Sequence, residues 1–265
     1  MIVCPGKERN NSVWVLRPRP VAEASYRLFC FPYAGIGPSA YRSWIQALPE
    51  SIEARLVQLP GREGRWKESP LTSLDDIAAR VTEAIAPELD RPFAFYGHSL
   101  GALAAFEVAR RLRRAGAAGP AHLFVAAHRG PHLPNPHPEM RQLADNAFVA
   151  ELRRRYDGIP QAVIDNPELL ELMLPCLRAD FHAYETYTYV SEPPLSCPIS
   201  AFGGDHDLYV RPAEIAGWRD QTAARFRMRI VQANHFFVQT ERDRVISAIA
   251  EDLFQAVGPE SVAAG

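Results

Sequence analysis

The sequence predicts an α/β fold in which a mostly parallel central sheet is covered by helices on both faces. Short, almost continuously apolar segments recur along the chain, and longer segments with helical periodicity separate them. Strands of a parallel sheet have this continuous apolar pattern because both of their faces are buried. A chain of 265 residues with 47 % hydrophobic content is long enough to bury a large core, and we interpret residues 1–265 as a single domain.

Six segments have the pattern of buried strands. They are residues 27–32, 54–59, 93–97, 122–127, 197–202 and 226–231. Apolar residues at helical spacing predict a helix over 74–85, with Thr72 or Ser73 as its N-cap. A second helix is predicted over 100–114, because its last turn is basic and Gly116 follows as a stop signal.

Residues 130–194 interrupt this alternation of strands and helices. A proline-rich loop at 132–138 precedes two helical segments, 140–156 and 167–189, and the second carries an apolar stripe that includes Leu177 and Phe181. We interpret this region, about 130–194, as a helical lid insertion. Periodicity does not distinguish a stripe that is ordinary core from one that shapes a substrate channel, so both interpretations stay open.

The segment from Gly97 to Gly101 reads Gly-His-Ser-Leu-Gly and matches the pattern G-x-S-x-G. It follows a predicted strand and opens a predicted helix, which is the setting that a nucleophile elbow of the α/β-hydrolase fold requires. Ser99 is therefore predicted to be a catalytic nucleophile.

A serine nucleophile needs a base and an acid that orients the base, and in this fold the acid precedes the histidine in the chain. His235 follows the last predicted strand and is the candidate base, whereas His98 is predicted to be structural and His206 to face solvent. Two aspartates, Asp205 and Asp207, follow the strand before it. We favour Asp207 as the acid and Asp205 as a residue that shapes the turn.

The loop after the first predicted strand contains Ala34, Gly35 and Gly37 and can turn a backbone N–H toward a substrate carbonyl. We predict an oxyanion hole that consists of the backbone N–H groups of Ala34 and Leu100.

Composition narrows the remaining function classes. The net charge of −2 gives no general attraction to nucleic acid or membranes, and no segment is long and apolar enough to span a bilayer. The four cysteines, at positions 4, 30, 176 and 197, have no metal-ligand spacing, and Cys30 and Cys197 lie in strand-like segments where burial is expected. We expect a cytoplasmic protein without a metal or cofactor.

In combination, these motifs resemble the type II thioesterases that accompany polyketide synthases and nonribosomal peptide synthetases. The resemblance runs from about residue 14 to 253 and is carried by residues 28–35, 58–63, 96–102, 174–181, 203–207 and 234–237. Two departures stand out: Ile36 interrupts a usual Gly-Gly pair, and Leu100 stands where Met is common. Neither removes a backbone donor.

The resemblance implies an enzyme that removes stalled or wrong acyl groups from the phosphopantetheine arm of an acyl or peptidyl carrier protein, and we expect a monomer. Basic clusters at 110–114 and 153–155 are candidate contacts for an acidic carrier protein, or else solvated helix ends. Two alternatives stay open, a carboxylesterase or lipase that acts on small free esters and a non-catalytic module that binds carrier proteins.

Overall fold

The computed structural model describes residues 13–156 and 166–255, and its centre is a seven-stranded sheet. The strands are β1 (Val15–Leu16), β2 (Tyr26–Phe31), β3 (Ile52–Val57), β4 (Phe93–His98), β5 (His122–Ala126), β6 (Ile199–Gly204) and β7 (Phe226–Val231). Their order across the sheet is β1-β3-β2-β4-β5-β6-β7. Only β1 runs antiparallel to its neighbour, so the sheet is mostly parallel, as the sequence predicts. Each of the six predicted strands is present within two residues at either end, whereas β1 was not predicted.

The described α-helices alternate with these strands. They are α1 (Trp44–Ala47), α2 (Leu74–Ile85), α3 (Leu100–Arg114), α4 (Asp145–Tyr156), α5 (Pro167–Glu185), α6 (Pro212–Ile215), α7 (Phe237–Thr240) and α8 (Arg242–Gln255). Both helices predicted before residue 120 have the bounds that the sequence indicates, and Ser73 is the N-cap of α2, since its side chain accepts a hydrogen bond from the Asp76 N–H.

The sheet is buried on both faces because alternate side chains of a strand point in opposite directions. On one face Phe29 and Phe31 pack with apolar residues of α2 and α3. On the other face Leu28 and Cys30 pack with apolar residues of α1 and α8. This two-sided burial explains why the strand segments are almost continuously apolar.

Helices α4 and α5, which we call the cap helices, lie between β5 and β6, and both are shorter than the sequence predicts. Helix α4 begins at Asp145 rather than at Met140, because the backbone N–H groups of Met140 and Arg141 donate to the carboxylate of Glu185 over 2.7 and 2.8 Å. Those N–H groups are thus satisfied without a helical turn.

Helix α5 ends at Glu185 rather than at residue 189. Beyond it, the Tyr187 hydroxyl donates to Glu107 of α3 over 2.8 Å, and the Tyr189 hydroxyl donates to Gln221 over 3.1 Å. These two contacts hold the chain against the body of the protein in a non-helical conformation.

The cap helices and Met140, which precedes α4, form a small apolar cluster that consists of Met140, Phe148, Leu152, Leu177 and Phe181. Leu152, Leu177 and Phe181 also line a pocket at the edge of the sheet where the parallel strands end. The stripe of α5 is therefore core on one side and pocket wall on the other, so both interpretations of its periodicity apply.

The described residues bear on two expectations from composition. No described helix is long and apolar enough to cross a membrane. Cys30, Cys176 and Cys197 are free thiols, of which Cys30 is fully buried as predicted, whereas Cys197 is only partly buried. Cys4 lies outside the described residues.

Candidate active site

Ser99 stands on the turn between β4 and α3, with φ 54° and ψ −118°. A positive φ is costly for a residue with a side chain, so the surrounding structure has to impose it. The flanking glycines allow this tight turn: a Cβ at Gly97 would lie 2.2 Å from the carbonyl oxygen of Gly101, and a Cβ at Gly101 would lie 2.2 Å from that of Phe31. The predicted nucleophile elbow is therefore present.

Asp207 and His235 form a buried hydrogen-bonded pair. The His235 Nδ1–H donates to Asp207 Oδ2 over 2.7 Å, and the backbone N–H groups of Tyr209 and Val210 donate to Oδ1 over 2.8 and 3.0 Å. Burial alone would raise the pKa of Asp207, but these three donors outweigh it and hold the pKa below its ordinary value. The carboxylate is therefore ionised, and it fixes the His235 tautomer whose Nε2 can accept a proton.

Asp205, the competing aspartate, does not contact His235. Its Oδ1 accepts a hydrogen bond from the backbone N–H of Ala233 over 3.1 Å and lies 3.6 Å from Nδ1 of the exposed His206. Asp205 thus ties the loop after β6 to the loop after β7. The geometry agrees with the sequence-based preference for Asp207 as the acid.

His98, the variable residue of the elbow, is fully buried, and its Nε2–H donates to the backbone carbonyl of His235 over 2.8 Å. Burial lowers the pKa of His98 to about 3, so the ring is neutral at physiological pH. The predicted structural role fits this contact, since His98 links the elbow to the loop that carries His235.

Several N–H groups of the loop after β2 already have acceptors. The Gly35 N–H donates to Asp180 over 2.7 Å, and the Gly37 N–H donates to Glu63 over 2.9 Å. Among the described residues, none accepts a hydrogen bond from the N–H of Ala34. Leu100 is the first residue of α3, so its N–H has no partner within the helix. Both N–H groups predicted for the oxyanion hole are therefore available to a substrate oxygen.

One pocket brings the predicted site residues together. Ser99, His235, Ala34 and Leu100 all line it, and Asp207 lies behind His235. The pocket contains about 680 Å³ of empty space, part of it open to solvent. Its outer wall comes from the cap helices and consists of Leu152, Tyr156, Leu177, Asp180, Phe181 and Tyr184. A mostly apolar cavity with a few polar groups at one end suits an acyl chain whose carbonyl is held at Ser99.

Several site residues were not predicted from sequence. The ring of Tyr156 lines the pocket and packs edge-on against His235, with 4.9 Å between ring centroids. Asp180 lines the pocket and forms a buried ion pair with Arg62. Both ion-pair residues lie in segments that carry the family resemblance, which is the signal that could have drawn attention to them.

The basic cluster of α3 is neutralised within the protein. Arg110 contacts Glu107 and Glu192 at 2.8 and 2.7 Å, and Arg113 and Arg114 also contact Glu192. These side chains therefore anchor α3 to the segment that follows α5, and they do not form a free basic surface, since Arg110 is buried and the others share Glu192. Within residues 13–156 and 166–255, no group of three histidine, cysteine, aspartate or glutamate side chains is arranged to hold a metal.

A serine on a strained strand-to-helix turn, a buried Asp–His pair and two unused N–H groups at the ends of parallel strands define a serine hydrolase with the α/β-hydrolase fold. The chain belongs to the thioesterase family, since the sequence model of the thioesterase domain family matches residues 26–253.

Individual relatives cover nearly the whole chain. A protein named linear gramicidin dehydrogenase LgrE, from Brevibacillus parabrevis, is 41 % identical over 91 % of this chain and 93 % of its own length. The thioesterase PikA5 of Streptomyces venezuelae is 36 % identical over 94 % of this chain and 88 % of its own length. The solved structure of BorB, a type II thioesterase from the borrelidin biosynthetic cluster, has a TM-score of 0.83 and 36 % identity, and the match covers 91 % of this chain and 98 % of BorB. The name of LgrE refers to another reaction, a dehydrogenation, whereas the family model, PikA5 and BorB are all described as thioesterases. The chain is a thioester hydrolase of the α/β-hydrolase type.

Proposed function

We propose that this enzyme is an editing thioesterase, which hydrolyses stalled or aberrant acyl groups from the phosphopantetheine arm of an acyl or peptidyl carrier protein. The observation that carries the proposal is the single pocket in which Ser99, His235 and the unused N–H groups meet beneath an apolar cap. The similarity to BorB and PikA5 supports a thioester as the substrate.

In the proposed mechanism, Ser99 Oγ attacks the thioester carbonyl while His235 Nε2 accepts the hydroxyl proton. The N–H groups of Ala34 and Leu100 stabilise the oxyanion, and Asp207 stabilises the imidazolium that forms. The C–S bond then breaks, and His235 returns the proton to the leaving thiolate. A thiol has a pKa of about 8.5, so it needs less help from an acid than an alcohol does.

The second half of the reaction releases the acyl group. His235 removes a proton from water as the water oxygen attacks the acyl-Ser99 ester, and the collapse of the second tetrahedral intermediate returns Ser99 and a free carboxylic acid. Side chains, backbone N–H groups and water suffice for both halves. The enzyme needs no cofactor of its own, because the carrier protein brings the phosphopantetheine.

The cap helices serve in this proposal as a lid insertion within one hydrolase domain, and the apolar face of α5 guides the acyl chain toward Ser99. We further propose a cytoplasmic monomer that binds neither nucleic acid nor membranes. Light scattering of the purified protein tests the monomeric state directly.

The decisive experiment is to measure hydrolysis of a panel of acyl groups on a carrier protein, with a p-nitrophenyl ester of the same acyl group in parallel. Intact-protein mass spectrometry follows the conversion of acyl-carrier to holo-carrier, and Ser99→Ala is the control. We expect a kcat/KM at least about tenfold higher for the carrier substrate, because the ester lacks the arm and the carrier. A strong preference for the free ester would indicate a carboxylesterase. Binding of the carrier without hydrolysis of either substrate would indicate a non-catalytic module.

A further inference from the structure

Arg62, in the loop after β3, and Asp180, in the middle of α5, form an ion pair in the wall of the pocket. Nη1 of Arg62 lies 2.6 Å from Asp180 Oδ2, and Nη2 lies 2.9 Å from Oδ1, so the contact is bidentate. The side chains are 4 % and 0 % exposed. A pair this deeply buried contributes little to stability by itself, since the loss of hydration offsets much of the attraction. Its position points to a further role.

The same carboxylate also holds the loop that carries the predicted oxyanion donor. Asp180 Oδ2 accepts a hydrogen bond from the Gly35 N–H over 2.7 Å. One turn earlier on α5, Leu177 lies so close that a Cβ at Gly35 would be 2.3 Å from its Cδ2. On the other side of the loop, the Glu63 carboxylate accepts hydrogen bonds from the N–H of Gly37 and from Ser39. The loop is thus held by one carboxylate at each end.

The tether at Gly35 restricts the direction of the Ala34 N–H. The peptide group that contains the Gly35 nitrogen begins at the Cα of Ala34, so fixing its orientation restricts ψ of Ala34. The orientation of the preceding peptide, which carries the Ala34 N–H, is restricted in turn. A donor that is fixed before the reaction needs no reorganisation when the oxyanion forms.

Arg62 makes this arrangement compatible with an oxyanion nearby. A lone buried carboxylate beside the loop would repel the negative charge that develops on the substrate oxygen. The guanidinium of Arg62 occupies both carboxylate oxygens and offsets their charge. The groups that face the pair are Cys176, with Sγ 4.0 Å from Asp180 Oδ2, and Glu63, the next residue after Arg62.

We propose that Arg62 and Asp180 are positioning residues for the oxyanion hole: Asp180 fixes the loop through the Gly35 N–H, and Arg62 orients and neutralises Asp180. This inference rests on the proposed function, because it assigns the Ala34 N–H to the oxyanion. It also means that the hole is complete only while α5 is docked against the loop.

Three variants distinguish the role of Asp180 as a hydrogen-bond acceptor from the role of its negative charge. Asp180→Asn keeps an oxygen for the Gly35 N–H but removes the charge, Arg62→Gln leaves the carboxylate uncompensated, and the double variant keeps an acceptor without either charge. We expect kcat to fall 10- to 100-fold in Arg62→Gln with KM within about twofold, and to recover at least fivefold in the double variant. The loss of a single oxyanion donor lowers kcat about 10²- to 10³-fold, so a misplaced donor should lower it less.

A second measurement distinguishes positioning from general damage. A trifluoromethyl ketone analogue of an acyl-pantetheine forms a tetrahedral adduct with the serine, whereas a thioether analogue has no carbonyl. In Arg62→Gln we expect the Ki of the ketone to rise in parallel with the loss of kcat and the Ki of the thioether to stay unchanged. Arg62→Lys keeps the positive charge but not the bidentate contact. Its kcat and its Ki for the ketone should lie between those of wild type and Arg62→Gln. If Arg62→Gln does not fold, Arg62→Lys replaces it.

Glu53→Gln is the matched control, since it breaks the Arg55–Glu53 pair, whose side chains are 1 % and 2 % exposed and which lies on β3 outside the pocket. It should lower thermal stability without changing kcat by more than twofold. The inference is overturned if folded Arg62→Gln keeps kcat and the Ki of the ketone within twofold of wild type, or if the double variant recovers none of the lost kcat. If wild type itself does not hydrolyse the acyl-carrier protein, the proposed function fails instead.

Discussion

Replacing Asp207 with asparagine changes one atom and should nearly abolish turnover. Oδ1 of Asp207 accepts hydrogen bonds from two backbone N–H groups, Tyr209 and Val210, and Oδ2 faces the Nδ1–H of His235. The amide oxygen of an asparagine has to face the two backbone donors, because an NH₂ group there would meet two N–H groups. The NH₂ group then faces His235.

That orientation selects the wrong tautomer of His235. An NH₂ group donates to Nδ1, so the ring proton moves to Nε2, and Nε2 can no longer accept the proton of Ser99. In a well-studied serine protease the corresponding change lowers kcat about 10⁴-fold, which corresponds to about 5.5 kcal/mol of transition-state stabilisation. We expect a loss of the same order for Asp207→Asn.

Asp205→Asn is the matched comparison two residues away. Its retained Oδ1 can still accept from the Ala233 N–H, and the contact that it weakens, with the exposed His206, is worth little. We expect kcat within about threefold of wild type. The assay is steady-state hydrolysis of an acyl-pantetheine thioester, with circular dichroism to verify folding. A large loss in Asp205→Asn together with a small loss in Asp207→Asn would refute the assignment of the acid.

Two further predictions concern stability. Gly101→Ala should lower the free energy of unfolding by at least about 3 kcal/mol, because the new Cβ would lie 2.2 Å from the Phe31 carbonyl oxygen. Gly119→Ala, whose Cβ would have nothing within 4 Å, should change it by no more than about 0.5 kcal/mol. Urea unfolding of both variants checks this, and equal stabilities would argue against the tight turn. The free energy of unfolding should fall as the pH drops from about 6.5 toward 3. In the folded protein the pKa of His98 is about 3, below its unfolded value, so the unfolded chain binds the proton first. His98 alone should therefore lower the free energy of unfolding by up to about 1.4 kcal/mol per pH unit. His98→Gln should lack that contribution, and an identical pH dependence in variant and wild type would contradict the buried neutral ring.

Features that depend on neighbouring residues could be predicted from the sequence. A strand buried on both faces leaves a continuous apolar pattern, so six of the seven strands are visible in the sequence. The elbow is contained in five consecutive residues. The order of acid and base along the chain then selects His235 and leaves Asp205 and Asp207, of which the turn pattern favours Asp207. Strand β1 was missed because its two residues are too few to form a pattern.

Features that depend on residues far apart in the chain could not be predicted from the sequence. Arg62 and Asp180 are 118 positions apart, and neither has a local signal for its partner. The start of α4 was placed too early for a similar reason, since the carboxylate that binds the N–H of Met140 belongs to Glu185, 45 positions later. In both cases a carboxylate contacts a group from a distant part of the chain, and only the folded chain brings the partners together.

The central claim is that Ser99 carries the acyl group during hydrolysis of a carrier-bound thioester. The most direct measurement is to quench wild type during turnover of an acyl-carrier protein and to locate the acyl group by peptide mass spectrometry. We expect the acyl mass on the peptide that contains Ser99, and a rate at least about 10³-fold lower in folded Ser99→Ala. Hydrolysis by Ser99→Ala at the wild-type rate, or an acyl group on a different residue, would contradict it.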